Sequence, residues 1–432
     1  MANLAILGGP KSVPSLTPYS SLGEEETQAV LRVMKGGCLS RFLGAWGDDF
    51  MGGEEILKLE AAWSKKFASS FAVSVNSATS GLYVAVGAVG VGPGDEVIVP
   101  PYTMSATAMA PLVYGGIPVF ADIEEETFCI DPREVEKKIS PRTKAIIAVN
   151  LFGHPAKLTE LRALADKHGI KLIEDNAQGP LATENGKYAG TIGHIGVFSL
   201  NYHKHIHSGE GGICTTDDKE LALKMQMIRN HAENAVEPAG VQDMTNLVGY
   251  NYRLSELAAA IASEQLAKGD KLVAEREKIA TTLTRELSAL PGLTPPAVRD
   301  NCRHVYYTWC AKYDADKVGV SRKVFADALK AEGVPVFEGY VKPLYWLPIF
   351  QKRIALGNQG FPFNLSKVTY EKGLCPVVER MHERELLGFG VCSYALPDNE
   401  LTQVIAAIKK VYESRHQLAA LSEERASDLV AR

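Results

Sequence analysis

The chain has 432 residues, with 46 basic against 51 acidic side chains, a net charge of −5 and 46% hydrophobic content. That length exceeds one ordinary core and predicts two domains of a globular protein. No apolar run is long enough to span a bilayer and no basic stripe is present, so neither a membrane nor nucleic acid is expected as a partner.

The opening "MANLAILGGPKSVPS" lacks a basic stretch followed by a long apolar one, so no secretory leader is expected. Seven cysteines (Cys38, Cys129, Cys214, Cys302, Cys310, Cys375 and Cys392) are scattered without a CxxC pair. That pattern argues against a disulfide framework or a zinc centre and fits a reducing cytoplasm.

From about residue 70, short apolar runs alternate with amphipathic stretches: "FAVSV", "DEVIVP", "IPVFADI", "TKAIIAVN", "IKLIEDN", "IGVFSL" and "GGICTTDD". Between them lie helical patterns such as "KLTELRALADKHG", stopped by Gly169. Alternating strands and helices predict an α/β domain with a mainly parallel sheet covered on both faces. The long amphipathic stretch from Ser255 to Leu290 breaks the rhythm and leads into a smaller C-terminal α/β domain. There "VYYTWCAKYD" reads as a strand and "SRKVFADALKAEG" as a helix. The expected division is 1–270, a large domain with the N-terminal segment, and 271–432, a small domain ending in a polar helical tail at the surface.

In a parallel sheet, ligands collect at the carboxyl ends of the strands. After "FAVSV" comes "NSATSG", whose small and hydroxyl residues open a helix. Its amides suit an anion such as a phosphate, although Ser77 or Thr79 as an ordinary helix cap explains the same residues. After "IKLI" comes "EDNAQ". Asp175 is placed to hold a protonated pyridine nitrogen and Gln178 to reach a ring hydroxyl, while an isolated acid at a strand end is most often a solvated turn.

The stretch "FSLNYHKHIHSGEGG" admits three readings: a metal site, a phosphate cradle or a reactive lysine. His203, His205 and His207 would share one strand face, but no carboxylate or cysteine stands at ligand spacing, so no metal is expected. A dinucleotide site fails as well, because "GVGPGD" lacks the G-x-G-x-x-G order and precedes a strand. Lys204 taken alone reads as a solvated surface charge. Taken with the phosphate turn and the acidic strand end, it completes the set that pyridoxal 5′-phosphate needs: an amine, a carboxylate and an anion site.

The chain resembles the DegT/DnrJ/StrS family of sugar aminotransferases, of the aspartate aminotransferase-like fold-type I, from about residue 15 to 412. The likeness rests on "NSATSG", "GVGPGDEVIVPPYT", "PVFADI", "EDNAQ", "GVFSL", "KHIHSGEGG" and "GYNYRLSELAAAI". It implies that Lys204 carries the cofactor as a Schiff base, that Asp175 pairs with the pyridine nitrogen and that Gln178 lies near the ring hydroxyl. Ser199, Thr79 and Ser80 would bind the phosphate. Asn251, in "GYNYR", would reach the cofactor of a neighbouring subunit, which implies a homodimer.

Two positions depart from the family pattern. Met104 stands where an aromatic residue usually stacks on the pyridine ring, with Tyr102 as the nearby alternative. "NYH" precedes the lysine where the family often has H-P. A dehydratase branch has histidine at the lysine position, whereas this chain keeps Lys204 and has His205 beside it. The resemblance implies transfer of an amino group from L-glutamate or glutamine to a keto-sugar, nucleotide-linked. A sugar dehydratase, a keto-cyclitol (inosose) aminotransferase and a cofactor-binding regulatory relative are the alternatives.

Overall fold

A computed structural model describes residues 3–431. Its strands, in chain order, are β1 Phe71–Val75, β2 Glu96–Val99, β3 Ile117–Phe120, β4 Thr143–Val149, β5 Lys171–Asp175, β6 Thr183–Glu184, β7 Lys187–Tyr188, β8 Ile195–Ser199, β9 Gly212–Thr216, β10 Leu293–Thr294, β11 Cys302–Arg303, β12 Trp309–Tyr313, β13 Val336–Glu338 and β14 Leu386–Phe389.

The main sheet has seven strands in the order β1-β9-β8-β5-β4-β2-β3. Pairings from β8 through β3 are all parallel, while β9 runs antiparallel to both its neighbours. Its central strands are buried along almost their whole length, which is why they read as continuous Val/Ile runs instead of alternating ones. A four-stranded antiparallel sheet, β10-β12-β14-β13, forms the smaller C-terminal α/β unit. A mainly parallel sheet with a smaller C-terminal unit is the architecture expected from the sequence.

Serine hydroxyls start three of the helices. Ser77 caps Ala78–Ala88, Ser255 caps Glu256–Ala267 and Ser321 caps Arg322–Ala331, each accepting a backbone amide of the first turn. The long stretch after Ser255 is two helices, Glu256–Ala267 and Gly269–Leu287. The second carries Val273 into the core around the large sheet, and Ile279, Leu283 and Leu287 into the core around the small one. Leu4, Ile6 and Val13 also pack into that second core.

The C-terminal tail is not a free surface extension. Leu418 and Ala426 are buried in the second core, and Ser427 bonds Lys323 and Asp327 of the helix Arg322–Ala331. Its polar composition conceals a one-sided apolar contact. No helix among the described residues is long and apolar enough to cross a membrane.

Candidate active site

The register of the main sheet gathers the predicted residues at one end. Gly212, the first residue of β9, pairs with Val75 on one side and Ser199 on the other. The turn after β1, the end of β8 and the glycine strand are therefore neighbours. Contact there is so close that a Cβ on Gly212 would lie 2.7 Å from the carbonyl carbon of Ser77, which explains why glycine stands at this position.

The helix Ala78–Ala88 opens beside them. Ser77 Oγ accepts from the Ser80 amide at 3.0 Å, and Ser80 Oγ donates to Asn76 Oδ1 at 2.6 Å. The amides of Ala78 and Thr79 precede the first intrahelical bond and have no acceptor within the helix. Thr79 is exposed, whereas Ser80 and Ser199 are buried. Ser199 Oγ accepts from the Asn201 amide at 3.3 Å.

Asp175 ends β5, two strands from Gly212, and is only 4% exposed. Its Oδ2 accepts from Thr107 Oγ1 at 2.8 Å and its Oδ1 from the Ala177 amide at 3.2 Å. Burial pushes this carboxyl above its ordinary range, while those two hydrogen bonds and the charge of Lys204 pull against the rise. No cation pairs with it at contact distance among the described residues.

Lys204 lies in the loop between β8 and β9, a run of turns and bends instead of the strand expected for its histidines. The loop is pinned at its base, where the Tyr202 amide donates to Gly209 and the Ser208 amide to Leu200. Burial lowers the Lys204 amine to about 8, opposed by the charge of Asp175. The three histidines diverge. His205 Nε2 lies 2.8 Å from the Val305 carbonyl, His207 Nε2 lies 3.0 Å from Ser21 Oγ, and the His203 ring packs on Tyr202. No group of three His, Cys, Asp or Glu side chains among the described residues is placed to hold a metal ion.

Gln178 spans two groups. Its Oε1 accepts from the Phe152 amide at 2.7 Å, and its Nε2 donates to Tyr340 Oη at 3.0 Å. Met104 is 60% exposed in the turn leading to the helix Ala106–Val113 that carries Thr107. Tyr102 is fully buried and its hydroxyl accepts the Tyr340 amide at 2.6 Å, so it offers no open ring face at this end of the sheet. Asn251 is exposed, forms an isolated bridge with Asn230 and stands beside Tyr252, whose carbonyl accepts the Asn76 amide. The structure thus brings Ser80, Ser199, Asp175 and Lys204 to one end of the sheet and leaves Asn251 facing outward.

Sequence reasoning missed Thr107, Tyr307 and Tyr340. Thr107 had a faint signal, a hydroxyl one helical turn beyond the "PPYT" turn. The two tyrosines come from the C-terminal part of the chain and carry no local motif.

A profile of the DegT/DnrJ/EryC1/StrS aminotransferase family matches residues 21–386. The chain belongs to that family. It is similar to the spore coat polysaccharide biosynthesis protein SpsC of Bacillus subtilis (strain 168), 34% identical over 369 residues, covering 83% of this chain and 92% of the relative. It is also similar to the L-glutamine:2-deoxy-scyllo-inosose aminotransferase of Streptomyces kanamyceticus, 35% identical over 377 residues, 84% of this chain and 87% of the relative. Among solved structures, the aminotransferase from Psychrobacter cryohalolentis superposes with a TM-score of 0.80 at 28% identity, covering 93% of this chain and 100% of that one. This is an enzyme family whose fold works with pyridoxal 5′-phosphate. At family level the reaction is amino-group transfer involving sugar or keto compounds, in amino-sugar or secondary-metabolite biosynthesis.

Proposed function

We propose that this chain transfers an amino group from L-glutamate or L-glutamine to a keto-sugar carried on a nucleotide. The observation that carries the reading is the facing pair at one sheet end: a half-buried Lys204 amine lowered to about 8 and a buried Asp175 carboxylate without a bonded cation. A protonated ring nitrogen would give Asp175 the counter-charge that the chain itself does not, and this supports the fit of pyridoxal phosphate. Thr79, Ser80 and Ser199, with the open amides of Ala78 and Thr79, suit its phosphate. Met104 would lie against the ring, since a thioether packs well on an aromatic face.

When bound, pyridoxal phosphate supplies an electron sink for the carbanion formed at the amino donor's α-carbon. Asp175 would hold the ring nitrogen's proton, and the Thr107 hydrogen bond aims its carboxyl and opposes the rise in proton affinity that burial causes. Lys204 Nζ would hold the cofactor and, as a free amine, would take the proton from the donor's α-carbon. On the acceptor side the same ammonium would give a proton to the carbon that receives the amino group. A lysine lowered to about 8 is a competent base near neutral pH, because an appreciable fraction is free amine. Gln178 fixes the loop at Phe152 and the Tyr340 hydroxyl, shaping the wall beside the ring.

The same proposal takes the working unit to be a homodimer with Asn251 reaching the partner's site, in the cytoplasm, where the free cysteines are at home. A second reading has specific support: the glutamine-dependent inosose aminotransferase at 35% identity favours a keto-cyclitol acceptor with glutamine as donor. Retention of Lys204 favours either transfer over the dehydratase and regulatory alternatives.

The test is a panel of nucleotide-linked keto-sugars and keto-cyclitols, each with glutamate or glutamine, read by mass spectrometry. An aminated nucleotide-sugar together with released oxo-acid is expected. An aminated cyclitol would shift the assignment to the second reading, and dehydrated sugar without amination would overturn both.

A further inference from the structure

The free amine of Lys204 has an unusual neighbour. Its Nζ lies 4.3 Å from the centroid of the Tyr307 ring, and no hydrogen bond contributes to its proton affinity. Tyr307 precedes β12 and is brought here by a close backbone approach. Gly153, at φ +96°, accepts the Val305 amide at 3.0 Å, and a Cβ on it would stand 3.0 Å from the Tyr307 nitrogen. Two histidines of the lysine loop flank the ring, with centroids at 6.0 Å for His203 and 6.4 Å for His205. His205 is itself tied to this segment through the Val305 carbonyl.

We propose that Tyr307 is a positioning residue whose ring face is the resting place of the Lys204 ammonium whenever that amine is not bonded to cofactor or substrate. This rests on the reading of Lys204 as the cofactor-carrying lysine.

The chemistry of transfer requires such a place. Each turnover releases the lysine, which must stay within reach, hold a proton part of the time and give it up readily. A carboxylate in contact would lock the ammonium as an ion pair and raise its proton affinity. An aromatic face attracts the cation through the ring quadrupole, accepts no proton and is left at small cost. The phenol cannot act as an anion here, because burial pushes its hydroxyl far above its ordinary range.

The other groups facing Lys204 are few. Asp175 acts on it through charge, Cys392 is a buried thiol pushed up to about 12 and so neutral, His203 and His205 are held neutral by burial at about 4, and the charge of Arg276 acts on His205 and Cys392. Tyr307 is thus the group in contact that favours the cation.

The test follows modification of Lys204 by trinitrobenzenesulfonate against pH in the cofactor-free full chain, read on the Lys204 peptide by mass spectrometry. The parent should titrate near 8. Tyr307→Leu should lower that midpoint by about one unit, a tenfold change in the amine-to-ammonium ratio. Tyr307→Phe, which keeps the ring, should leave it in place. If the leucine variant fails to fold by circular dichroism, Tyr307→Met is read instead. An unchanged or raised midpoint in the ring-less variant, or an equal fall in Tyr307→Phe, would overturn the resting place. A borohydride map separates the two claims. Cofactor fixed on another lysine overturns the reading of Lys204, whereas a correct map with an unmoved midpoint overturns only the role of Tyr307.

Discussion

Thr107 Oγ1 donates to Asp175 Oδ2 at 2.8 Å, joining the helix that follows β2 to the end of β5. Burial raises the proton affinity of Asp175, and this hydrogen bond is the largest influence lowering it again. Thr107→Val keeps the shape and removes the donor, so the carboxyl rises further. A hydrogen bond to an ionised group contributes about 1.5–3 kcal/mol. Cofactor affinity should fall by about tenfold or more, measured by visible absorbance on titration. Because a higher carboxyl pKa leaves more Asp175 protonated at any given acidic pH, the acidic limb of the rate profile should move to higher pH. A limb that stays in place would show that Thr107 serves packing alone.

Asp175→Asn removes the charge and keeps the size. A pyridine nitrogen without its counter-ion loses its proton, and the electron sink weakens. The rate of amino transfer should fall by about 10²–10³-fold, the scale of losing one preorganised electrostatic partner, while cofactor remains bound by its phosphate end. Near-parental activity would refute the assigned role.

Lys204→Ala should reduce turnover by about 10²–10⁴-fold or more, the scale of a lost general acid–base group. Borohydride should fix the cofactor on Lys204 in the parent, as seen on a peptide map. The lysine also sets a pH dependence of stability. Its folded pKa, about 8, lies below its unfolded value of 10.5. The unfolded chain therefore binds the extra proton between those values, and stability rises with pH across that window. The cofactor-free parent should gain stability relative to Lys204→Met as pH rises from about 8 toward 10.5, and show no such relative gain below 8. Urea melts at pH 7.5 and 9.5 would detect the difference, and parallel curves would contradict the burial of this amine.

The strands of the main sheet were legible because both of their faces are covered, leaving apolar runs bounded by glycine and polar turns. Asp175 and Ser199 were legible for the same reason, as the polar residues that end such runs. The loop around Lys204 has the sequence pattern of a strand and is not one. Alternating histidines mimic a period of two, but Gly209, at φ +86°, and the bonds across the base of the loop hold it as turns. The C-terminal tail reads as a surface extension by composition, but its few apolar residues, Leu418 and Ala426 among them, share one face and dock it with the help of Ser427. Tyr307 and Tyr340 were invisible because their positions depend on packing between segments more than 100 residues apart, as in the Gln178–Tyr340 bond. Sequence spacing encodes strand ends well and encodes such cross-chain approaches poorly.

Asn251 supplies the last prediction. It is exposed in the single chain, while the backbone of the adjacent Tyr252 is tied to Asn76 beside the helix-opening turn. If two chains pair about a twofold axis, the interface is isologous and each chain gives its Asn251 to the other's site. Asn251→Ala alone should weaken cofactor binding. Mixing it with Lys204→Ala chains is the sharper measurement. A shared site predicts that a mixed dimer holds one site with both lesions and one with neither, so activity should reappear when two poor variants exchange subunits. Tagged chains would establish that exchange occurs. Exchange without recovered activity, or a fully active monomer in sedimentation, would mean that each site is built from one chain and that Asn251 acts only at the surface.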